Sequence, residues 1–568
     1  MTDTLGVAVL WHMHQPDYRD DATGRPRQPW ARLHALHAYY DMIRLVREEP
    51  RARVVLNVVP SLLWQLADLA RPDAPPDPVL ALCRRDPADL DREERRRLLR
   101  DGFGFHHARR FAELPRLAEL WERRGGDGRA VPPGAEERFT AQGLRDLQVL
   151  FHLAWCGRTL REDPLVAALL ARGRDFTEAE KQALLDRQQA FLAGVLPAWR
   201  EAVASGQVEL SVTPLTHPIL PLLCDTDAAR EARPDLPLPQ RRFQRPGDAW
   251  YHVVTALAEA ERLLGTRPAG MWPAEGSLSR DAVRILAAAG VRWAAGDQGV
   301  LEGSLARAGV PVPPARHFQA WRWGGDGMPA LFFRDTGLSD AIGFRFQSMP
   351  AAAAVAELVG HLENIRAALP EGGRYLVPLI LDGENPWEYY PDSGVAFLQQ
   401  LYAAVADHPH LEWRTFSDHL DGGGMAADLP DLRAGSWIRA DFTTWIGHPE
   451  KNRAWDLLAA VRAACEPALQ AAGVYHPVAL PDGRRLAAWD PQRVGPTAAG
   501  DVARAVAALA NAESSDWFWW FGDDNPTDFA DRFDAQFRDH LAAACRLLGV
   551  APPAAVSQPV RRPRKEPS

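Results

Sequence analysis

Two carboxylates in this sequence stand where acid and base chemistry could be done. An apolar run, Tyr375-Leu376-Val377-Pro378-Leu379-Ile380-Leu381, stops at Asp382-Gly383-Glu384 and is followed at once by Trp387, Tyr389 and Tyr390. A second run, Gly270-Met271-Trp272-Pro273-Ala274, leads into Glu275. An isolated Asp-Gly-Glu would read as a solvated turn. Two such acids, each just past an apolar run and each with a tryptophan beside it, read instead as a pair. Cleavage of a glycosidic bond needs that pair: a retaining enzyme sets a nucleophile and an acid/base roughly 5 Å apart, and an inverting one spaces them wider to admit water. The neighbouring rings suit a sugar, whose apolar faces stack while its hydroxyls take hydrogen bonds. Apolar walls also raise a carboxyl pKa, as a general acid requires.

The other candidate groups sit in the same kind of place. Leu5-Gly6-Val7-Ala8-Val9-Leu10 runs into Trp11-His12-Met13-His14-Gln15-Pro16. Residues two apart on a strand share a face, so His12 and His14 point the same way. Such a pair serves either as metal ligands or as neutral partners for sugar hydroxyls. Val208-Glu209-Leu210-Ser211-Val212 leads to His217, and later runs end in Asp297 and in Arg334-Asp335, with Asp340 beyond.

These side chains converge only if their strands lie side by side. Seven short apolar runs read as buried strands: Gly6 to Leu10, Val54 to Val59, Val208 to Val212, Ala269 to Trp272, Val291 to Ala295, Ala330 to Phe333 and Tyr375 to Leu381. They do not alternate, as expected of strands covered on both faces. Helical patterns such as Tyr251 to Leu264 and Arg280 to Ala289 lie between them, so the fold class is α/β, with parallel strands and right-handed crossovers. A barrel of this kind carries its chemistry at the carboxyl ends of its strands. The connection over about 62–205 is too long for one crossover and reads as a helical insertion. Asp421-Gly422-Gly423-Gly424 marks a boundary near residue 425, giving a catalytic barrel over 1–425. A mainly helical region over 430–555 comes next, contributing to the cleft, and a basic, Pro-rich tail over 556–568 is expected to be disordered.

Composition narrows the class further. The 568 residues are 46% hydrophobic and 24% charged, as in ordinary globular enzymes. A net charge of −9, from 65 basic and 74 acidic residues, argues against a nucleic-acid partner. Five scattered cysteines without Cys-x-x-Cys spacing disfavour a disulfide framework or a zinc knuckle. No uncharged stretch is long enough to span a bilayer, and the N-terminus lacks a signal-peptide pattern, so a cytoplasmic location is expected. Twenty tryptophans exceed what a core requires.

In their order, His14-Gln15-Pro16, Gly206 to Pro218, Gly270 to Glu275 and Leu381 to Glu384, these motifs resemble those of glycoside hydrolase family 57, whose members act on α-glucans. Gly435-Ser436-Trp437-Ile438, Thr444 to Trp455 and Ser515-Asp516-Trp517-Phe518-Trp519-Trp520 are similar to the C-terminal region of its amylopullulanase-type members. The resemblance implies an incomplete, TIM-like (β/α)7 barrel and retention through a covalent intermediate, with Glu275 as nucleophile and Asp382 as general acid/base. His12, His14, Glu209 and His217 would hold the sugar in the cleavage subsite. Trp272, Trp387, Trp437 and Trp445 would stack glucose rings, and Asp335, Asp340, Glu384, Asp516 and Trp517 are added as substrate-binding positions. No metal or other cofactor is expected. An amylase or amylopullulanase is the leading reading. A 4-α-glucanotransferase or branching enzyme would use the same intermediate. Two other classes compete: a zinc-dependent deacetylase built on His12, His14 and a carboxylate such as Asp297, and a silent glycan-binding protein.

Overall fold

The computed structural model describes residues 4–125, 130–312, 314–527 and 529–561. All seven expected strands are present: β1 (Leu5–Met13), β2 (Val54–Val58), β3 (Val208–Val212), β4 (Gly270–Met271) and β5 (Trp293–Asp297), then, after a short β6 (Trp321–Trp323), β7 (Ala330–Arg334) and β8 (Leu376–Asp382). Two further short strands, β9 (Leu411–Trp413) and β10 (Ala427–Leu429), complete the sheet. Its order is β10-β6-β7-β5-β4-β3-β2-β1-β8, with β9 beside β1. Every pairing is parallel except β6 with β7. This is the (β/α)7 incomplete barrel anticipated from the run count.

The barrel is incomplete for a local reason. β8 ends the path at one side, and β7, which lies across the gap from it with only β6 and β10 beyond, does not pair with it as a ladder. Pro378, in the middle of β8, has no N–H to give, so only its carbonyl takes part, accepting from Asp335 N–H at 2.9 Å. Side chains bridge the remainder: Arg334 Nε donates to the Ile380 carbonyl at 3.1 Å, and Ser339 Oγ accepts the Ile380 N–H at 3.1 Å. Inside, Ala8, Leu10, Val55, Trp272, Trp293, Phe332 and Ile380 form an apolar core distinct from the one outside the strands. The barrel is a packed core with a roof, not a channel.

From β2 to β3 the chain is helical, with helices from Pro60–Leu69 to Val195–Ala204. The sheet runs to Leu429, past the expected boundary, because β10 adds to the edge at β6. The C-terminal region holds helices Pro449–Ala471, Asp501–Ala512 and Ala530–Leu547, and also a hairpin, β11 (Tyr475–Ala479) with β12 (Arg485–Trp489). Pro481-Asp482-Gly483 between those strands is the turn signal that marks it. The tail expected to be disordered from residue 556 packs as far as Arg561: Val556 and Val560 are buried, and Arg453 donates to the Val560 carbonyl. The apolar spacing of those two valines outweighs the basic composition, and residues 562–568 lie outside the described residues. Among the described residues no helix is long and apolar enough to cross a membrane.

Candidate active site

The roof of the barrel is one register level of four adjacent strands. His12 pairs with Asp382 on one side and with Asn57 on the other, and Asn57 pairs with Ser211. Alternation turns these four side chains the same way, above the apolar layer that contains Leu10, Ile380 and Val55. Asn57 sets where the histidine protons sit. Its Nδ2 donates to Ser211 Oγ at 2.8 Å, so its Oδ1 must accept from His12 Nδ1–H at 2.6 Å. His12 Nε2 is therefore a lone pair, and His217 Nε2–H donates to it at 3.1 Å. His217 Nδ1 then accepts from Ser515 Oγ–H at 2.8 Å. Burial pushes the His12 pKa down to about 3 and that of His217 well below its usual value, so both rings are neutral.

His14 lies face to face with His217, ring centroids 3.8 Å apart. Its Nε2–H reaches Asp516 Oδ1 at 2.8 Å, and its Nδ1 has no partner among the described residues. His14 thus keeps one buried nitrogen, Nδ1, without a partner among the described residues, while both nitrogens of His12 are spent within the protein. His12, expected to hold a sugar, has no nitrogen left for one and is linked to the rest of the roof through His217.

Glu275 and His217 both have left-handed backbones, with φ of 60° and 66°. Such residues persist only where their surroundings over-determine them, and they cluster at functional sites. The surroundings of Glu275 are a clamp. Trp437 Nε1–H donates to its Oε2 at 2.7 Å, and Trp437 N–H to its carbonyl at 2.8 Å. Gly276 comes next, also left-handed, and a Cβ there would lie 2.6 Å from Trp272. His217 Nδ1 stands 3.8 Å from Glu275 Oε1. The Glu275 carboxyl is pushed up to about 8, by burial first and then by the charge of Asp382. Asp382 is raised by burial, with one side-chain donor, Asn385 Nδ2 at 3.2 Å. The two acids therefore form one electrostatic unit. Glu384 is raised well above its usual range by burial and by Asp382. Gly383 lets the link between the acids pack closely on β1, since a Cβ there would meet Met13 Sδ at 2.4 Å.

Several expected positions lie elsewhere. Trp272, Trp387, Trp445 and Trp517 are no more than 1% exposed, which leaves no ring face for a glucose unit. Trp272 fills the top of the barrel against Trp437, and Trp387 packs on Trp11 while donating to the Gly383 carbonyl. Trp445 packs beside Trp519, and Trp517 donates to the Asn511 carbonyl. They are walls. Glu209 sits one layer below the roof, opposite Val55, and is consumed by Trp293 Nε1 at 2.7 Å and Ser417 Oγ at 2.7 Å. Asp335 caps the helix Thr336–Asp340 through Leu338 N–H. Asp340 holds Arg334, whose guanidinium lies 5.1 Å over the Trp437 ring. Asn57, Ser515 and Arg334 were not expected at the site. For Asn57 the signal was there, one amide in the apolar run Val54–Val59.

Among the described residues one group could hold a metal ion: His12, His14 and His217, with nitrogens within 4.8 Å of one another. Their rings are within 23° of parallel, and His14 and His217 are stacked. In-plane lone pairs on stacked rings point side by side and do not converge as a tetrahedral zinc site requires. Asp297 is held by Thr336 Oγ1 at 2.9 Å and Arg334 at 3.3 Å, so it does not complete the set expected for a deacetylase.

A cavity of about 630 Å³ opens beside the roof between the helical insertion and the C-terminal region, with His14, Glu384 and Asp516 on its near side.

The family model for glycosyl hydrolase family 57 matches residues 8–429. Among curated proteins none matches the chain by sequence. Its fold is similar to that of a family 57 branching enzyme from Thermococcus kodakaraensis: TM-score 0.55, 14% identity, 95% of this chain and 90% of that one. It is also similar to the α-amylase AmyC of Thermotoga maritima: TM-score 0.55, 12% identity, 96% and 93%. A 4-α-glucanotransferase from Thermococcus litoralis matches with TM-score 0.51 and 12% identity, over 96% of this chain and 60% of that one.

Proposed function

The chain belongs to glycosyl hydrolase family 57, and we propose that it cleaves α-glucan chains with retention, through a covalent glycosyl-enzyme on Glu275. The observation that carries this reading is the clamped, left-handed Glu275 in electrostatic contact with Asp382. Donation from the Trp437 indole favours the ionised form of Glu275. Asp382 receives only an amide, so the proton that the buried pair shares rests on Asp382.

Glu275 Oε1 attacks the anomeric carbon as the glycosidic C–O bond breaks, and the Asp382 proton passes to the leaving oxygen. Asp382, now a carboxylate, removes a proton from water, whose oxygen displaces Glu275 and completes retention. His14 Nδ1 and Asp516 accept hydrogen bonds from sugar hydroxyls, and His217 and Ser515 hold the floor beneath the ring. If a sugar hydroxyl takes the place of water, the same intermediate gives transfer, the chemistry named for two of the similar structures.

Product analysis on maltooligosaccharides, amylose and pullulan tests the reading. Turnover with retained configuration is expected, unaffected by chelators and lost in Glu275→Gln and Asp382→Asn with the fold intact. Near-normal rates in either variant would refute the assignment.

A further inference from the structure

Arg334 ends β7 at the open side of the barrel and takes no part in the steps above. Its side chain is 4% exposed, so water and salt screen its charge little. Three hydrogen bonds fix the guanidinium: Nε to the Ile380 carbonyl across the gap at 3.1 Å, Nη1 to Asp297 at 3.3 Å and Nη2 to Asp340 at 2.5 Å. So held, it lies 5.1 Å over the Trp437 ring. That ring is also the one that grips the nucleophile, since Trp437 Nε1–H donates to Glu275 Oε2 at 2.7 Å. Guanidinium, indole and carboxyl therefore stand in one unbroken line of contact.

A cation over an indole face attracts the π electrons of the ring. The indole N–H is left more positive and becomes a stronger donor, because groups in a low-dielectric interior polarise one another. Glu275 needs such a donor. Burial and the Asp382 charge both favour its protonated form, yet as nucleophile it must be a carboxylate. The titratable groups that face the two acids are His14, Tyr39, His217, Glu384, Asp516 and Arg334, and Arg334 is the permanent cation among them. Asp297 and Asp340 face Arg334 in turn and orient its fork. Resting on the hydrolase reading, we propose that Arg334 is a positioning residue for the nucleophile: stacked on Trp437, it strengthens the indole N–H that holds the Glu275 carboxylate for attack.

The test follows the Trp437 indole N–H by NMR in the full chain carrying isotope-labelled tryptophan, with its signal identified by its absence in Trp437→Phe. In Arg334→Gln the signal is expected to move upfield, as a weakened hydrogen bond does, and its titration by Glu275 to move to higher pH. Arg334→Lys keeps the charge and loses the flat stacking face, and is expected to lie between the two. On maltohexaose, Arg334→Gln is expected to lower kcat/KM about tenfold with KM little changed, the worth of a buried cation–π contact. In the Trp437→Phe background the same substitution is expected to cost less than about threefold, because the indole that transmits it is gone. If Arg334→Gln folds poorly, Asp340→Asn loosens the guanidinium from a half-exposed position and is expected to move the signal the same way by less. An unmoved signal, or a loss as large without the indole as with it, would overturn the proposal. If the parent protein turns over no α-glucan while the signal moves as expected, the grip on Glu275 stands and the hydrolase reading falls.

Discussion

The roof of the barrel and the cavity beside it are both rich in aromatic and histidine side chains, but they differ in what is left unpaired. In the roof the side chains complete one another. Trp272 and Trp387 are walled in, both His12 nitrogens are used, and Asn57 is satisfied on each side. What stays open is two acids, His14 Nδ1 and Asp516. In the cavity the rings keep exposed faces: Tyr389 is 46% exposed, and Trp30 and Trp520 are partly so. A finished network fixes geometry, as bond-making requires, and exposed ring faces leave room for a ligand to pack.

The sharpest way to break this contrast is to remove the two acids. Asp382→Asn should lower kcat/KM by about 10²- to 10⁴-fold, the usual worth of a general acid, and Glu275→Gln by at least as much. Maltohexaose titration should be unchanged to within about twofold, because neither acid is among the groups assigned to the sugar hydroxyls. An equal loss of binding would merge the two regions into one.

The next effect is on stability. Trp272→Ala empties the top of the barrel and should cost about 3–5 kcal/mol, read as a fall in denaturation midpoint. Tyr389→Ala on the exposed wall should stay within about 0.5 kcal/mol. Comparable losses would mean that the cavity rings are core. Asn57→Ala should cost about 1–3 kcal/mol by stranding His12 Nδ1–H and the Ser211 hydroxyl, and should lower kcat about tenfold with KM little changed. Rescue by Asn57→Asp or Asn57→Gln would identify hydrogen bonding, not volume, as the cause.

The smallest effect is a pH dependence. A carboxyl whose folded pKa is raised binds its proton more tightly when folded. The proton that Glu275 and Asp382 share therefore contributes fully to stability below the ordinary carboxylate range, and that contribution is lost as pH rises toward about 8, the value to which burial and the Asp382 charge push Glu275. The parent protein should therefore lose thermal stability between about pH 5 and about pH 8.5 relative to Glu275→Gln. Parallel curves would show that the pair holds no shared proton. The alkaline limb of kcat/KM should also vanish in Asp382→Asn, since Asp382 must be protonated to act and activity is lost as its proton leaves.

The strand runs and both acids could be read from the sequence because each sits at an abrupt change from apolar to polar residues. The helical insertion was legible for the same reason, as one overlong connection. Burial was not. Trp272 beside Glu275 and Trp387 beside Glu384 look like sugar platforms in one dimension, and only the fold buries them, Trp272 inside the barrel and Trp387 against Trp11 outside it. Glu209 alternates like a pocket residue but points at a layer already filled by Trp293. The proton order of the histidines depends on Asn57, which is brought to His12 by strand register and not by sequence proximity. The hairpin β11–β12 carried its Pro-Asp-Gly signal in plain sight, within a stretch whose flanks are helical.

The contact between His14 and Asp516 joins positions 502 residues apart, and that between His217 and Ser515 joins positions 298 apart. As the chain leaves the ribosome, β1 to β8 are all made before the residues that anchor two of the three histidines. Long-range contacts of this kind form late and slowly. A nascent barrel that has folded ahead of its C-terminal helices would hold both acids and still lack the Asp516 contact of His14 and the Ser515 contact of His217. Completion of the roof therefore belongs to the last stage of synthesis, when those helices dock and bring Ser515 and Asp516 to the histidines.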